Sequence, residues 1–186
     1  MIVILSGVSG AGKDTIKRIL MGKDGRIKTL PSYTTRDKRI NEVEGENYYY
    51  VSKEKFKEMI DNNEFYEYSV HHGNYYGTNK KLLNERIKNN IVLKDIDVNG
   101  TEDLLKIFRG TEIKIISIFL NISKDEMLRR LENRDDKLKQ EEIELRMNRY
   151  DYEMNHIGIY DYVIKNYDAE KTSNIILDII KSEQEQ

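Results

Sequence analysis

Short apolar runs alternate along the chain with stretches in which apolar side chains recur every three or four positions. That alternation predicts parallel strands joined by crossover helices, with helices on both faces of the sheet. The runs predict core strands at about Ile2–Ser6, Ile27–Leu30, Ile91–Ile96, Ile113–Leu120 and Tyr162–Lys165. The periodic stretches predict helices near Lys13–Met21, Asn79–Lys88, Thr101–Phe108, Lys124–Asn133, Gln140–Asn155 and Ala169–Lys181. In the last of these, Ile175, Ile176, Ile179 and Ile180 fall at helical spacing and form a packing face. Two stretches interrupt the pattern. Ser32 to Thr78 is rich in Tyr, Glu and Arg, and reads as short strands, Tyr48–Val51 and Phe65–Val70, with Gly73-Asn74 as a turn before Tyr75-Tyr76. Lys124 to Arg149 is densely charged and carries Arg129, Arg130, Arg134, Arg146 and Arg149. The fold class expected is α/β, a parallel sheet flanked by helices. Its core covers about 1–31, 79–123 and 150–186, with a small mixed α/β insertion at about 32–78 and a helical lid at about 124–149.

The first strand runs directly into Gly7-Val8-Ser9-Gly10-Ala11-Gly12-Lys13, and a helical pattern starts at once. Strand, glycine-rich loop and helix in that order make a phosphate-binding loop (P-loop). Glycines let successive backbone N–H groups turn inward around an anion, and the helix adds the positive end of its dipole. Lys13 reaches the outer phosphates of a nucleoside triphosphate. A merely tight strand-to-helix turn would leave the three glycines and the lysine unexplained. One position departs from the motif, which has Ser or Thr after the lysine to ligate Mg²⁺; here Asp14 is followed by Thr15. The carboxylate could hold the metal directly or through water, since Mg²⁺ takes oxygen ligands and keeps several waters. It could instead repel the phosphates, or Thr15 could supply the hydroxyl. The sequence leaves these open.

Composition narrows the class. At 186 residues the chain is one domain by length and long enough to bury a core. Charged residues make up 34% against 38% hydrophobic, with a net charge of −2, which points away from membranes and from nucleic acid. No apolar stretch is long enough to span a bilayer, and no basic segment precedes the first apolar run as a secretion signal requires. The absence of Cys excludes disulfides and thiolate metal sites and fits a cytoplasmic enzyme. Small phosphorylated substrates are the expected partners, and a monomer or homodimer is the expected form.

In the first insertion, Arg36 and Arg39 stand three apart in a loop, where two guanidinium forks could converge on one phosphate. Tyr48 and Tyr76 could add hydroxyl donors. The competing reading has the tyrosines packing in a small sheet and the arginines pairing with glutamates. For Tyr49, Tyr50, Tyr66 and Tyr75 packing is preferred, because aromatic residues are common in strands.

The segments GVSGAGK, TTRDKR followed by NEVEGENYYYV, HGNYYGT, DIDVNG and RLENR, in this order, resemble guanylate kinase, and the end of the chain fits as well with Arg146, Glu153 and Tyr160 to Asn166. The resemblance implies an ATP-dependent phosphotransferase that makes GDP from GMP (and dGMP) with Mg²⁺. By resemblance Gly7, Val8, Ser9, Gly10, Ala11, Gly12, Lys13, Asp14, Thr15 and Arg130 bind ATP. Arg36, Arg39, Tyr48 and Tyr76 hold the GMP phosphate, with Glu42 orienting the arginines. Ser32, Glu67, Thr78 and Asp97 meet the guanine or lie beside it. Lys13, Arg134 and Arg146 serve catalysis, and Asp95 joins Asp14 and Thr15 as a Mg²⁺ candidate. The chemistry of guanine agrees: its N1–H and N2–H₂ are a pair of donors that one carboxylate accepts side by side, whereas adenine presents an acceptor at N1. The competing reading of Glu67 is a solvated strand residue. Asp95 and Asp97 end an apolar strand, where ligands gather in open parallel sheets.

Several positions depart from the resemblance. Lys94 stands where the family has an apolar residue and either snorkels or pairs with an aspartate. Asn99 replaces Gln, and Val8 and Lys38 replace loop prolines. The interval from Arg134 to Arg146 is one residue longer than usual. Phosphoryl transfer needs in-line placement and positive charge around the moving group. Arg130 and Arg134 are i,i+4 and share a helix face, whereas Arg129 and Arg149 read as solvated. His71, His72 and His156 need no catalytic role, the first two lying at a hairpin turn where exposure is expected. Two other readings stay open, a kinase for another nucleotide or a sugar phosphate, and a non-catalytic guanylate kinase-like binding domain.

Overall fold

The computed structural model describes residues 1–40, 42–71, 73–133 and 139–185. Five strands form a central sheet in the order β2-β7-β1-β8-β9, with β1 Ile2–Gly7, β2 Ile27–Thr29, β7 Ile91–Asp95, β8 Ile115–Asn121 and β9 Tyr162–Lys165. All six residues of β1 are buried, as are the apolar residues of β7, the environment of a sheet covered on both faces. The expected α/β class holds, and among the described residues seven α-helices accompany the strands.

The chain divides into two compact units. The first comprises Met1–Ile2 and Arg26–Ile115. In it β2 runs parallel to β7, with Ile27 opposite Ile91 and Thr29 opposite Leu93. A second, four-stranded sheet has the order β4-β3-β6-β5, from β3 Ser32–Thr34, β4 Tyr48–Tyr50, β5 Phe65–His71 and β6 Asn74–Asn79. The β5–β6 hairpin places Glu67 opposite Thr78. Helix α2, Lys53–Asp61, was not apparent from the sequence pattern. Ser52 caps it by accepting from the Lys55 N–H, and its Phe56 and Met59 bury against Phe65, Tyr33 and Tyr75 to give this sheet its own core. Helix α3, Lys80–Arg86, is capped by Asn79. Helix α4, Val98–Phe108, begins three residues before the expected Thr101 because Asp97 caps it, accepting from the Gly100 N–H.

The second unit comprises Val3–Gly25 and Ile116–Gln186. It holds α1 Lys13–Lys23, α5 Lys124–Glu132, α6 Gln140–Asn155 and α7 Ala169–Glu185. Strands β8 and β9 are parallel, Ile118 opposite Tyr162 and Asn121 opposite Lys165. Ile16 and Leu20 of α1 and Ile176 and Ile180 of α7 are buried and Ile179 is half-buried, but Ile175, expected on the same packing face, is exposed because it falls at the edge of the stripe. Among the described residues no helix is long and apolar enough to cross a membrane.

Candidate active site

The loop between β1 and α1 is shaped by its glycines. Gly12 precedes the helix at φ 88°, in the left-handed region, and a Cβ there would stand 2.9 Å from Asn166 Nδ2. Gly7 leaves β1 at φ 150°, where a Cβ would come within 2.4 Å of the Leu120 carbonyl. Lys13 Nζ folds back and donates to the Gly7 carbonyl at 2.7 Å and to that of Val8 at 3.5 Å. The ammonium is thus held beside the loop by uncharged acceptors that charged phosphate oxygens can replace. Ser9 Oγ accepts from Arg146 Nη1 at 3.0 Å.

Arg130 is fixed on three sides. Its Nε donates to Glu126 Oε1 at 2.7 Å, Nη1 to the Gly10 carbonyl at 3.2 Å and Nη2 to the Asn166 carbonyl at 3.0 Å. Asn166 also donates from Nδ2 to the Ala11 carbonyl at 2.6 Å. Asn166, directly after the expected core strand Tyr162–Lys165, is therefore a loop-supporting residue, 3% exposed, to which motif reading gave no role of its own. Arg129 is exposed and paired with Glu126, and Arg149 pairs with Glu153 at 3.3 Å. Arg134 lies outside the described residues, as does His72. Asp14 sits in the first turn of α1 with its side chain 94% exposed, 2.7 Å from Lys17 Nζ. Thr15 follows it, half-buried.

The first unit carries a different cluster of charged and aromatic side chains. Arg36 Nη2 donates to Glu42 Oε1 at 2.7 Å, and its guanidinium lies 5.1 Å from the ring centroid of Tyr48 and 5.9 Å from that of Tyr50. Glu42 Oε2 accepts from the Arg39 backbone N–H at 2.9 Å and from the Tyr50 hydroxyl at 2.8 Å. Tyr76 stands edge-on to Tyr48 at 5.9 Å. The structure thus gathers Arg36, Glu42, Tyr48 and Tyr76 and adds Tyr50, which the sequence reading had given to packing. Tyr49, Tyr66 and Tyr75 do pack, on Tyr33, Phe108 and Phe56 respectively. Arg39 is exposed at the rim of this loop.

Burial alone would raise the Glu42 carboxyl, but the hydrogen bonds from Arg36, Arg39 and Tyr50 hold it down at about 2. Burial and that same bond push the Tyr50 hydroxyl up to about 12. A carboxyl lowered on folding contributes stability that is complete above its ordinary value of 4.5 and is lost as pH falls through about 2. The stability difference between the protein and its Glu42→Gln variant, read by denaturant titration, should be constant above that ordinary value and shrink below it. Its size is about 1–2 kcal/mol once screening in this loop is allowed for. A difference independent of acid pH would show that Glu42 is not held ionised by this cluster.

The third group draws on β3, β5, β6 and β7. Glu67 is 7% exposed, and Thr78, fully buried, donates its hydroxyl to Glu67 Oε1. Burial raises the Glu67 carboxyl, opposed by the charge of Lys94 and the bond from Thr78. The solvated-strand reading of Glu67 is thereby removed. Lys94 is 1% exposed and donates to the Ser32 hydroxyl and, at 3.3 Å, to the Leu30 carbonyl. It is a core residue, so snorkelling does not describe it. Asp97, besides capping α4 through Oδ1 at 3.0 Å, lies with Oδ2 2.9 Å from His71 Nε2. His71 is thus half-buried and partnered where exposure was expected. Asp95 is half-buried at the end of β7. Among the described residues no group of three or more His, Cys, Asp or Glu is placed to hold a metal by itself.

Residues 1–183 match the family described as Guanylate kinase. The guanylate kinase of Prochlorococcus marinus subsp. pastoris is 39% identical over 183 residues, 97% of this chain and 97% of that protein. That of Rickettsia felis is 39% identical over 190 residues, covering 100% and 95%. The crystal structure of guanylate kinase from Anaplasma phagocytophilum matches with a TM-score of 0.80 at 30% identity, over 100% of this chain and 87% of that one. A shikimate kinase from Bacteroides thetaiotaomicron, TM-score 0.55 at 13% identity, shares the fold alone. With a match that runs from end to end through the loop, the arginine–tyrosine cluster and the buried carboxylate, the chain belongs to the guanylate kinase family.

Proposed function

We propose that this enzyme transfers the γ-phosphoryl group of ATP to GMP, and to dGMP, giving ADP and the diphosphate. The observation that carries this reading is Glu67, a buried carboxylate that accepts from Thr78 and suits a base presenting two donors side by side. Family membership and the loop around Lys13 support ATP as the donor. In this reading Arg36, Arg39, Tyr48 and Tyr76 hold the monophosphate, and Glu42 aligns Arg36. Tyr50 steadies Glu42. Loop N–H groups from Gly7 to Thr15 cradle the triphosphate, with Arg130 bracing the loop. Lys13, Arg134 and Arg146 gather positive charge around the moving group, and 124–149 acts as the closing segment. No general base is required, because the attacking phosphate oxygen of GMP is already ionised at neutral pH. Asp97, engaged by its helix and by His71, borders the base.

The residues fit a Mg²⁺ that arrives on the triphosphate, where one or two protein oxygens suffice and phosphates and water complete the shell. When bound, Mg²⁺ neutralises charge on the phosphates. The Thr15 hydroxyl of the second unit, or the Asp95 carboxylate of the first, is the protein oxygen proposed for it. Asp14, nearly fully exposed and paired with Lys17, serves instead as an acidic residue favourable in a first helical turn. Titrations of ATP binding against Mg²⁺ should therefore coincide for the protein and an Asp14→Ser variant. A steeper Mg²⁺ dependence with Asp14 present would make it a ligand. The cytoplasm as the site of action, a monomer or homodimer as the working form, and no role for nucleic acid or membrane complete the proposal.

A substrate panel with ATP against GMP, dGMP, AMP, CMP and ribose phosphates tests the reading. Turnover of GMP and dGMP with at most traces for the others is expected. Preference for another acceptor would overturn it, and no turnover at all would favour a binding domain.

A further inference from the structure

A lysine at 1% exposure inside a parallel strand is unusual, because an ammonium leaves water only when its donors are met and its charge is answered. Lys94 has both provisions on one side. Its Nζ donates to the Ser32 Oγ and to the Leu30 carbonyl, and it lies close enough to Glu67 to act on its charge. A serine oxygen that accepts from an ammonium has one lone pair occupied and its O–H polarised by the neighbouring positive charge, which favours Ser32 as an O–H donor to the next group it meets. A glutamate beside a buried cation remains an acceptor on both oxygens, and Thr78 already donates to one of them. We propose that Lys94 is a positioning residue that sets the hydrogen-bond polarity of the base site, making Ser32 a donor and holding Glu67 as an acceptor, so that 6-oxopurine monophosphates are taken and 6-aminopurine ones refused.

The pattern is complementary to the six-membered edge of a 6-oxopurine, which carries an acceptor at O6 and a donor at N1. It opposes the same edge of a 6-aminopurine, where both polarities are reversed. The other groups facing Glu67 do not supply this bias. Asp97 and Asp103 of α4 are negative and work against its ionisation. His71 is engaged with Asp97 on the same side. The start of α4 approaches closely, a Cβ on Gly100 standing 3.2 Å from Glu67 Oε2. The inference rests on the GMP reading of the site.

The test compares the protein with Lys94→Met, which keeps length and apolar volume, and with Lys94→Gln as a second variant should the first fail to fold. Steady-state kinetics with ATP against GMP and AMP are measured for each, together with Ser32→Ala and the double variant. The expected result is a rise in KM for GMP and a fall in the GMP-to-AMP ratio of kcat/KM, each on the order of tenfold or more, as for mispaired buried groups. Both kcat at saturating GMP and KM for ATP stay close to those of the parent. The losses from Lys94→Met and Ser32→Ala should be non-additive, because one acts through the other. Additive losses, or equal losses of kcat and of ATP affinity, would reduce Lys94 to a packing residue and overturn the proposal. If the parent protein itself does not phosphorylate GMP, it is the GMP reading that fails. Lys94 is then judged without substrate by the ¹³C titration of the Glu67 carboxyl, which must move to higher pH in Lys94→Met if the lysine holds it ionised. No movement overturns the proposal on its own terms.

Discussion

Lys13→Ala is expected to lower turnover of ATP and GMP by at least ~10²-fold, the loss typical of removing one preorganised charge from a transition state. Lys13 is the sole side-chain cation within the loop from Gly7 to Lys13. Its ammonium is held by the Gly7 and Val8 carbonyls, acceptors that bear no formal charge, so little opposes its transfer to phosphate oxygens. The loop itself should survive the substitution. Gly12 keeps its left-handed conformation, Asn166 keeps its bond to the Ala11 carbonyl, and Arg130 still reaches the Gly10 carbonyl. The backbone cradle and the helix end therefore remain, and ATP should bind with a smaller loss than turnover suffers. Single-turnover kinetics with saturating ATP separate the two. Near-normal turnover would remove Lys13 from the mechanism.

What could be read in the sequence is what short-range rules determine. The loop declares itself because each glycine and the lysine do their work within the same few residues. Strands β1, β7 and β8 are legible because burial on both faces demands nearly continuous apolar runs, broken only by Ser6, Lys94 and Ser117 among their buried side chains. Helix α2 was hidden in a segment read as strands, although Ser52 followed by Phe56, Met59 and Ile60 is a cap with helical spacing behind it. Tyr50 could have been found as well. Tyr48 and Tyr50 are two apart in a strand and share a face, so assigning Tyr48 to the phosphate implies that Tyr50 lies beside it, with Tyr49 turned away to stack on Tyr33. Lys94 is a different case. Its partner Ser32 stands 62 positions away, and no local rule connects a charge in a core strand to a hydroxyl on another sheet. The same holds for His71 and Asp97, which only tertiary structure brings to 2.9 Å.

Glu67→Gln is expected to raise KM for GMP by a factor corresponding to about 2–4 kcal/mol, with KM for ATP little changed. A glutamine at this position keeps one carbonyl oxygen, and the buried Thr78 hydroxyl, which now donates to Glu67 Oε1, competes for it. The other end becomes an NH₂ group facing a guanine donor, so two donors meet where an acceptor was needed. Water cannot relieve the mismatch at a position only 7% exposed. Adenine, with an acceptor at N1, suffers no such clash with the amide. Discrimination of GMP over AMP should therefore shrink from both directions, GMP losing and AMP gaining. Substitution also leaves Lys94 without the opposite charge beside it, so a melting curve for the variant is required to show that the enzyme assayed is folded. A folded Glu67→Gln protein that still prefers GMP over AMP as strongly as its parent would show that the base is read elsewhere.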